Sequence, residues 1–185
     1  MESSLSAIKD AKIREFISEE AIAKKVKEMG KQISEDYRGR EPLHVVGALK
    51  GCFIFMADLI RHIEIPVEVD FLEVSSYGDS TESSGNVKII KDLTQDIAGR
   101  HLLLAEDIID TGLTINRLLD MLSAREPASI HIATLLIKEE KHKLRYPVTY
   151  KGFAIHDEFV VGYGMDYRGY YRNLPYIGIL DLPGK

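Results

Sequence analysis

The chain has 185 residues, enough for one domain with a well-filled core. Its 29 acidic and 24 basic residues give a formal net charge of -5, so the composition lends no support to the basic face that nucleic-acid binders use. The single cysteine, Cys52, excludes an internal disulfide, and the polar N-terminus does not resemble a secretory signal. No apolar stretch approaches the roughly 20 residues that span a bilayer, and these features together lead us to expect a cytoplasmic protein with no membrane segment.

The first part of the chain shows one long helical pattern and then alternating strand and helix patterns. We expect residues 7–37 to be helical, because apolar residues recur at helical spacing from Ile22 to Ile33. Ser18, followed by two glutamates, has the pattern of an N-cap with an acidic first turn. The next predicted elements are a strand over 43–49, a helix over 53–62 and a strand over 67–74.

The rest of the chain continues this alternation. The predicted elements are strands over 87–90, 102–105 and 129–137, a helix over 115–123, and two short apolar runs between 153 and 161. Strands that alternate with helices predict an α/β fold with a mostly parallel twisted sheet flanked by helices. No repeat or linker divides the sequence, so we expect a single domain over 1–185, to which the terminal segments could add a small subdomain.

The most informative segment covers 102–115 and reads L-L-L-A-E-D-I-I-D-T-G-L-T-I. An apolar strand ends in two carboxylates, and a short loop then leads into a helix; the loop consists of Asp110, Thr111, Gly112, Leu113 and Thr114. Ligands of parallel α/β sheets bind at the carboxyl ends of the strands, and backbone amides at a helix start hold anions. Glycine permits a close backbone approach and threonine hydroxyls add donors, so the loop predicts a phosphate site. The spacing is not that of a Walker loop.

Glu106 and Asp107 stand at the end of this predicted strand. Ionised carboxylates accept hydrogen bonds from hydroxyls such as those of ribose, and they also bind hydrated Mg²⁺. Acidic clusters repel phosphate unless a divalent cation lies between them, so a phosphate site in this chain calls for such a cation. The alternative is a simple capped helix start with Asp110 as the N-cap. It would explain a lone D-T-G, but two acids at the end of a buried strand are costly without partners.

The sequence E-D-I-I-D-T-G-L-T after an apolar strand resembles the phosphoribosyl pyrophosphate (PRPP) motif of the type I phosphoribosyltransferases. The similarity to the hypoxanthine(-guanine) branch of that family extends over about 43–182, with the motifs in the same order. The resemblance implies that Glu106 and Asp107 hold the ribose hydroxyls, directly or through Mg²⁺. It also implies that residues 110–114 cradle the 5′-phosphate and that Asp110 lies near the purine N7 as the general base.

The same resemblance implies a fold, a reaction and an assembly. The fold would be the type I phosphoribosyltransferase fold, with a core over about 40–160 and a hood from the N-terminal helix and about 160–185. The reaction would be a step of purine salvage, in which PRPP donates its phosphoribosyl group to hypoxanthine or guanine and gives IMP or GMP, with Mg²⁺ as the cofactor. A homodimer or homotetramer is implied, with no nucleic-acid or membrane partner.

Two further segments acquire roles through the resemblance. Lys50 and Gly51 belong to an L-K-G turn, which binds pyrophosphate in the family, whereas Lys50 alone would be a solvated surface charge. The polar segment 75–85 contains Ser76 and Tyr77, and it could be a mobile surface connection. In the family an S-Y loop closes over the active site, and closure would keep water away from an oxocarbenium-like ribose.

Recognition of the base is implied for three residues. Lys138 follows the strand predicted over 129–137, where the family's lysine donates to the exocyclic O6 of the purine. An ammonium group only donates, so it suits the carbonyl of an oxopurine and opposes the amino group of adenine. Phe159 would stack on the purine, and the backbone of Val160 would contact its edge. Taken singly, these residues could equally be a surface lysine and core apolar residues.

Asp166 and Arg172 complete the implied site. Asp166 would lie in the purine-binding segment and bind the Mg²⁺ that carries pyrophosphate, while Arg172 would reach the pyrophosphate with its forked donors. The expected metal ligands are therefore Glu106, Asp107 and Asp166. His156 stands where many relatives have proline, which leaves the base preference open. The alternatives are a transferase that prefers xanthine or guanine and, from another class, an RNA-binding regulator with the same fold.

Overall fold

The computed structural model describes residues 12–76 and 87–181, which form two sheets and three helices. The strands are β1 Lys12–Ile17, β2 Leu43–Leu49, β3 Val67–Ser76, β4 Val87–Lys91, β5 His101–Ile109, β6 Ser129–Lys138, β7 Tyr150–Ile155, β8 Val160–Val161 and β9 Ile177–Asp181. The helices are α1 Glu19–Tyr37, α2 Phe53–Ile60 and α3 Leu113–Ser123. Within these ranges no helix is both long and apolar enough to cross a membrane.

The larger sheet has six strands in the order β4-β3-β2-β5-β6-β7. Its neighbouring strands are parallel except for β3 and β4, which pair antiparallel. The prediction of a mostly parallel sheet is confirmed. The central strands β2, β5 and β6 are neighbours that run in the same direction, so their carboxyl ends lie side by side. Ligands of such folds bind at these carboxyl ends.

Helices cover both faces of this sheet. Leu103 and Ala105 of β5 join the core that contains the apolar residues of α1 and α2, whereas Leu102 and Leu104 join the core that contains those of α3. Successive side chains of a strand point to opposite faces, so both faces of β5 are buried. This double burial explains why the strand is continuously apolar in sequence rather than alternating.

The N-terminal segment differs from the prediction of a helix over 7–37. Lys12–Ile17 is the strand β1, and residues 7–11 lie outside the described ranges. The helix begins only after Ser18, whose side chain accepts a hydrogen bond from the backbone N–H of Ala21. An N-cap marks the N-terminal end of a helix. The residues before Ser18 are therefore outside the helix, and they pair with β9 as a strand.

The smaller sheet has three antiparallel strands in the order β1-β9-β8. Its strands come from the two ends of the described chain. Helix α1, by contrast, packs against helix α2 and against strand β7 of the larger sheet, because its apolar face belongs to the main core. The N-terminal element that joins the small sheet is therefore a strand, not the helix that we expected there.

Strand β5 is longer than the predicted 102–105. It continues to Ile109, so Glu106 and Asp107 lie inside the strand rather than after it. Pairing with β6 extends as far as Ile109 and Ile137, which keeps the backbone extended through both acids. The two carboxyl groups are consequently held on a rigid, hydrogen-bonded backbone.

Candidate active site

Two adjoining pockets lie at the carboxyl edge of the larger sheet. The first has a volume of about 320 Å³ and the second a volume of about 350 Å³. Four residues line both pockets: Gly51, Asp107, Ile108 and Asp110. A single ligand, or two reacting ligands, could therefore extend without interruption from one pocket into the other.

The loop between β5 and α3 presents an open helix start to the first pocket. Gly112 occupies the N-cap position with a φ of 76°, and no side chain caps the helix there. A Cβ at this position would lie 2.9 Å from Cδ2 of Leu144, a side chain that can shift, so the positive φ is the main reason for glycine here. Asp110 is not the N-cap, which removes the alternative of a merely capped helix. The first amides of α3 and the exposed Thr111 and Thr114 can therefore receive an anion.

Leu113 is the one residue of this loop that lines neither pocket with its side chain. It is the first residue of α3 and is 39% exposed. Its N–H lies 3.5 Å from Oγ1 of Thr111, which is too long for a strong hydrogen bond. Leu113 can therefore contribute its backbone to the site.

Glu106 and Asp107 place two carboxyl groups in a buried part of the first pocket. Glu106 is 6% exposed, and its Oε1 has no hydrogen-bond partner in the described part of the chain. Burial, assisted by the charge of Asp107, raises the pKa of Glu106 well above its ordinary range. Burial also raises the pKa of Asp107 to about 6, although backbone hydrogen bonds and Arg172 act in the opposite direction. A buried carboxyl group without a partner is costly, so this pair is suited to receive a hydroxyl or a cation.

The second pocket contains a buried lysine at the end of β6. Lys138 is 7% exposed, which excludes the interpretation as a solvated surface lysine. Its Nζ lies 3.4 Å from Oδ2 of Asp110 and 3.3 Å from Oδ1 of Asp157. The ammonium group is thus held at the pocket by two carboxylates.

An exposed aromatic ring and a buried valine form another part of the second pocket. Phe159 is 47% exposed, and its ring meets that of Tyr167 edge-on, with the centroids 5.7 Å apart and the planes at 88°. Val160 is buried and pairs with Ile179 of β9. An exposed ring that is supported at its edge can offer a face to a planar base.

The hairpin after β8 packs against the turn after β2. Arg172 donates from Nη1 to the carbonyl oxygen of Gly164 at 2.6 Å, and its Nη2 lies 2.6 Å from Oδ1 of Asp166. A Cβ on Gly164 would overlap the carbonyl oxygen of Gly51. The peptide bond between Leu49 and Lys50 in this turn is cis. Asp166, Arg172, Lys50 and Gly51 therefore meet on one side of the second pocket.

The acidic residues fit a magnesium ion that shares its ligands with a substrate. In residues 12–76 and 87–181, no group of three or more His, Cys, Asp or Glu side chains is placed to hold an ion by itself. The charge of Asp166 acts on Asp107, and Oε1 of Glu106 lacks a partner. Magnesium usually takes one or two carboxylates together with water and substrate phosphate oxygens. Of the three predicted ligands, Asp107 and Asp166 fit such a partial set, and Glu106 adjoins Asp107 in β5.

Other residues of interest lie at or beyond the edge of this site. Ser76 ends β3, where it pairs with Val87, and Tyr77 lies outside the described residues. His156 is exposed and 3.7 Å from Glu140, and it lines neither pocket. Asp157 contacts Lys138, and the sequence analysis did not predict this residue as part of the site. The sequence offers one indication, namely that Asp157 lies two positions before Phe159.

A mostly parallel sheet that carries an uncapped helix start and two acids at its carboxyl edge matches the arrangement predicted for a phosphoribosyltransferase. The family described as "Phosphoribosyl transferase domain" matches residues 14–168, and the chain belongs to this family.

Several relatives specify the branch of the family. A hypoxanthine-guanine phosphoribosyltransferase of Bacillus subtilis is 53% identical over 165 residues, which are 89% of this chain and 91% of that protein. A hypoxanthine phosphoribosyltransferase of Haemophilus influenzae is 48% identical over 169 residues, 90% of this chain and 94% of that protein. The crystal structure of a hypoxanthine phosphoribosyltransferase from Staphylococcus aureus has a TM-score of 0.87 at 47% identity and covers 91% of each chain. The chain is a member of the hypoxanthine(-guanine) branch.

Proposed function

We propose that this enzyme transfers the 5-phosphoribosyl group of PRPP to hypoxanthine and guanine, giving IMP or GMP and pyrophosphate in purine salvage. The observation that carries the proposal is the junction of the two pockets, which share Asp107 and Asp110. A ribose at this junction would have its phosphate in the first pocket and the incoming base in the second. The names of the relatives from Bacillus subtilis and Haemophilus influenzae support the same reaction.

The 5′-phosphate would bind to the backbone amides of residues 111–114 and to the hydroxyls of Thr111 and Thr114. Amides at a helix start attract an anion without adding a mobile side chain. Glu106 and Asp107 would accept hydrogen bonds from the ribose hydroxyls. A hydroxyl donor near Oε1 of Glu106 would provide the partner that this buried atom lacks.

Asp110 would act as the general base. It lines both pockets, so its carboxylate lies where the base and the ribose would meet. It would take or share the N7 proton as N9 of the purine attacks C1′ of the ribose. Its contact with Lys138, at 3.4 Å, is long enough to be exchanged for a contact with the base.

Three residues would recognise the base: Lys138, Phe159 and Val160. The Lys138 ammonium would donate to O6 of the oxopurine, a position at which adenine carries another donor. Phe159 would stack on the ring, and the backbone of Val160 would contact its edge. A site built around such a hydrogen bond excludes the analogue that cannot form it.

Pyrophosphate would leave towards the turn after β2. When bound at Asp107 and Asp166, with Glu106 nearby, Mg²⁺ would supply positive charge to the departing pyrophosphate. Lys50 and Arg172 would add fixed positive charge, and the N–H of Gly51 would add a donor. Ser76 and Tyr77 stay predicted as parts of a lid that excludes water from the ribose.

The test is an assay of PRPP consumption with hypoxanthine, guanine, xanthine and adenine, each with and without Mg²⁺. We expect turnover with hypoxanthine and guanine, none with adenine, and loss of activity without the ion. Faster turnover with xanthine would replace the proposal by the xanthine-preferring alternative. An RNA-binding regulator is not favoured, because the base pocket contains Lys138 and Phe159 and the net charge is -5.

We also propose a cytoplasmic homodimer or homotetramer whose small sheet β1-β9-β8 forms a hood beside the base pocket. Val160 supports the hood, because it belongs to β8 and lines the second pocket. The single cysteine, which cannot form an internal disulfide, fits a reducing compartment. Light scattering that reports only monomer at working concentration would contradict the assembly.

A further inference from the structure

Lys138 is held by two carboxylates that differ in their relation to the pockets. Its Nζ donates to Oδ2 of Asp110 at 3.4 Å and to Oδ1 of Asp157 at 3.3 Å. Asp110 lines both pockets, whereas Asp157 lines neither. An ammonium group has three N–H donors, and these two carboxylates are its acceptors within the described ranges, so a third donor can serve a ligand. Because Asp157 lines neither pocket, it can act on a bound base through its contact with Lys138 rather than by touching the base.

Asp157 also joins two segments that a base must contact at the same time. It lies between β7 and β8, two positions before Phe159. Its Oδ1 also contacts Nζ of Lys141, in the turn after β6 that is closed by a 3.1 Å hydrogen bond from the Lys141 N–H to the Lys138 carbonyl oxygen. One carboxylate thus links the lysine end of β6 to the segment that carries the aromatic ring.

Asp110 by itself cannot balance the charge of Lys138 throughout the reaction. As the general base it must turn towards N7 and take up or share a proton, which weakens its attraction for the ammonium group. A lysine that is only 7% exposed is costly when it has no counter-charge. Asp157 has a side chain that is 64% exposed and does not take part in the proton transfer, so it can keep this role throughout.

We propose that Asp157 is a positioning residue, which holds the Lys138 ammonium beside O6 of the purine while Asp110 is engaged with N7. The inference rests on the proposed function, since it requires an oxopurine in the second pocket. It adds a residue that acts on base recognition without contacting the base.

The test compares Asp157→Asn with Glu139→Gln in steady-state assays with hypoxanthine and PRPP. Glu139 is a matched control, because it is an exposed carboxylate 3.4 Å from a lysine, Lys151, and lines neither pocket. We expect Asp157→Asn to raise KM for hypoxanthine about fivefold and to leave KM for PRPP unchanged, since a solvent-exposed ion pair makes only a modest contribution to binding. The preference for hypoxanthine over adenine should narrow, and Asp157→Glu should restore the KM.

The outcomes separate this inference from the proposed function. A KM for hypoxanthine that is the same in Asp157→Asn and Glu139→Gln overturns the role of Asp157. An equal rise of KM for hypoxanthine and KM for PRPP in Asp157→Asn, together with a lower Tm, also overturns it, because a purely structural role would produce that result. A wild-type enzyme that does not consume hypoxanthine overturns the proposed function, and this inference with it.

Discussion

Gly51 lies directly against Asp107, because a Cβ built on Gly51 would overlap Oδ2 of that carboxylate. Gly164 approaches from another side, and its own Cβ would overlap the carbonyl oxygen of Gly51. The turn after β2 therefore lies between the acidic end of β5 and the hairpin that carries Asp166. Any side chain in this position would displace the Asp107 carboxylate.

The first prediction concerns Gly51→Ala, which should abolish most of the transferase activity. The new methyl group must displace Asp107, and a shift of about 1 Å in a positioned group costs on the order of 100-fold in rate. We expect a loss of this size in kcat/KM for PRPP, measured by steady-state kinetics. Circular dichroism should show that the variant keeps the wild-type fold.

Gly39→Ala provides the control for replacing a glycine. A Cβ at Gly39 meets nothing within 4 Å, but its φ of 81° makes alanine unfavourable there. It should lower the free energy of unfolding by about 1 kcal/mol and leave kcat/KM unchanged. An active Gly51→Ala variant would show that Asp107 tolerates displacement.

The second prediction concerns Phe159→Leu, which should weaken base binding without loss of stability. Stacking of aromatic rings contributes about 1 kcal/mol, so KM for hypoxanthine should rise roughly fivefold to tenfold. The Tm should not change, because the ring is already 47% exposed. Phe16→Leu is the matched control, since Phe16 is 38% exposed on β1 and lines neither pocket. Equal KM values for the two variants would contradict the stacking role.

The parts of this structure that the sequence predicts are those fixed by local chemistry. The doubly buried strand β5 shows as a continuous apolar run, and Gly112 in the loop after it stands at the start of the next helix. The N-cap at Ser18 is equally local, since its side chain bonds a backbone N–H three positions on. Such features need no knowledge of distant residues.

The parts that the sequence does not predict depend on contacts between distant segments. Strand β1 is a strand because β9 pairs with it, more than 150 positions later. Asp157, between β7 and β8, contacts Lys138 at the end of β6, and no local pattern predicts that contact. The turn at Arg168 and Gly169 has φ values of 54° and 87°, typical of a tight hairpin turn, although arginine gives little sign of it.

The third prediction concerns Asp110→Asn, which should lower kcat much more than it weakens PRPP binding. Asparagine keeps the size of the side chain but cannot accept the N7 proton, and general base catalysis contributes about 100-fold or more. Asp120→Asn is the control, because Asp120 is an exposed acid on α3 that pairs with Arg145 at 2.5 Å. It should retain wild-type turnover. An unchanged kcat in Asp110→Asn, measured at saturating substrates, would remove this residue from the mechanism.

The buried pair Glu106 and Asp107 predicts that the unliganded protein loses stability as the pH rises. Burial raises the pKa of Asp107 to about 6 and that of Glu106 well above its ordinary range. The ordinary pKa of a carboxyl group is about 4. At pH values between this ordinary pKa and the raised pKa values, the folded state holds more protons than the unfolded state. The free energy of unfolding therefore falls as the pH increases. Glu106→Gln, which cannot ionise, should therefore be more stable than the wild type at about pH 8, by on the order of 1 kcal/mol, and similar to it at about pH 5. Urea denaturation without ligand measures the difference, and a variant that is less stable at the higher pH would show that the Glu106 carboxylate is favourably partnered.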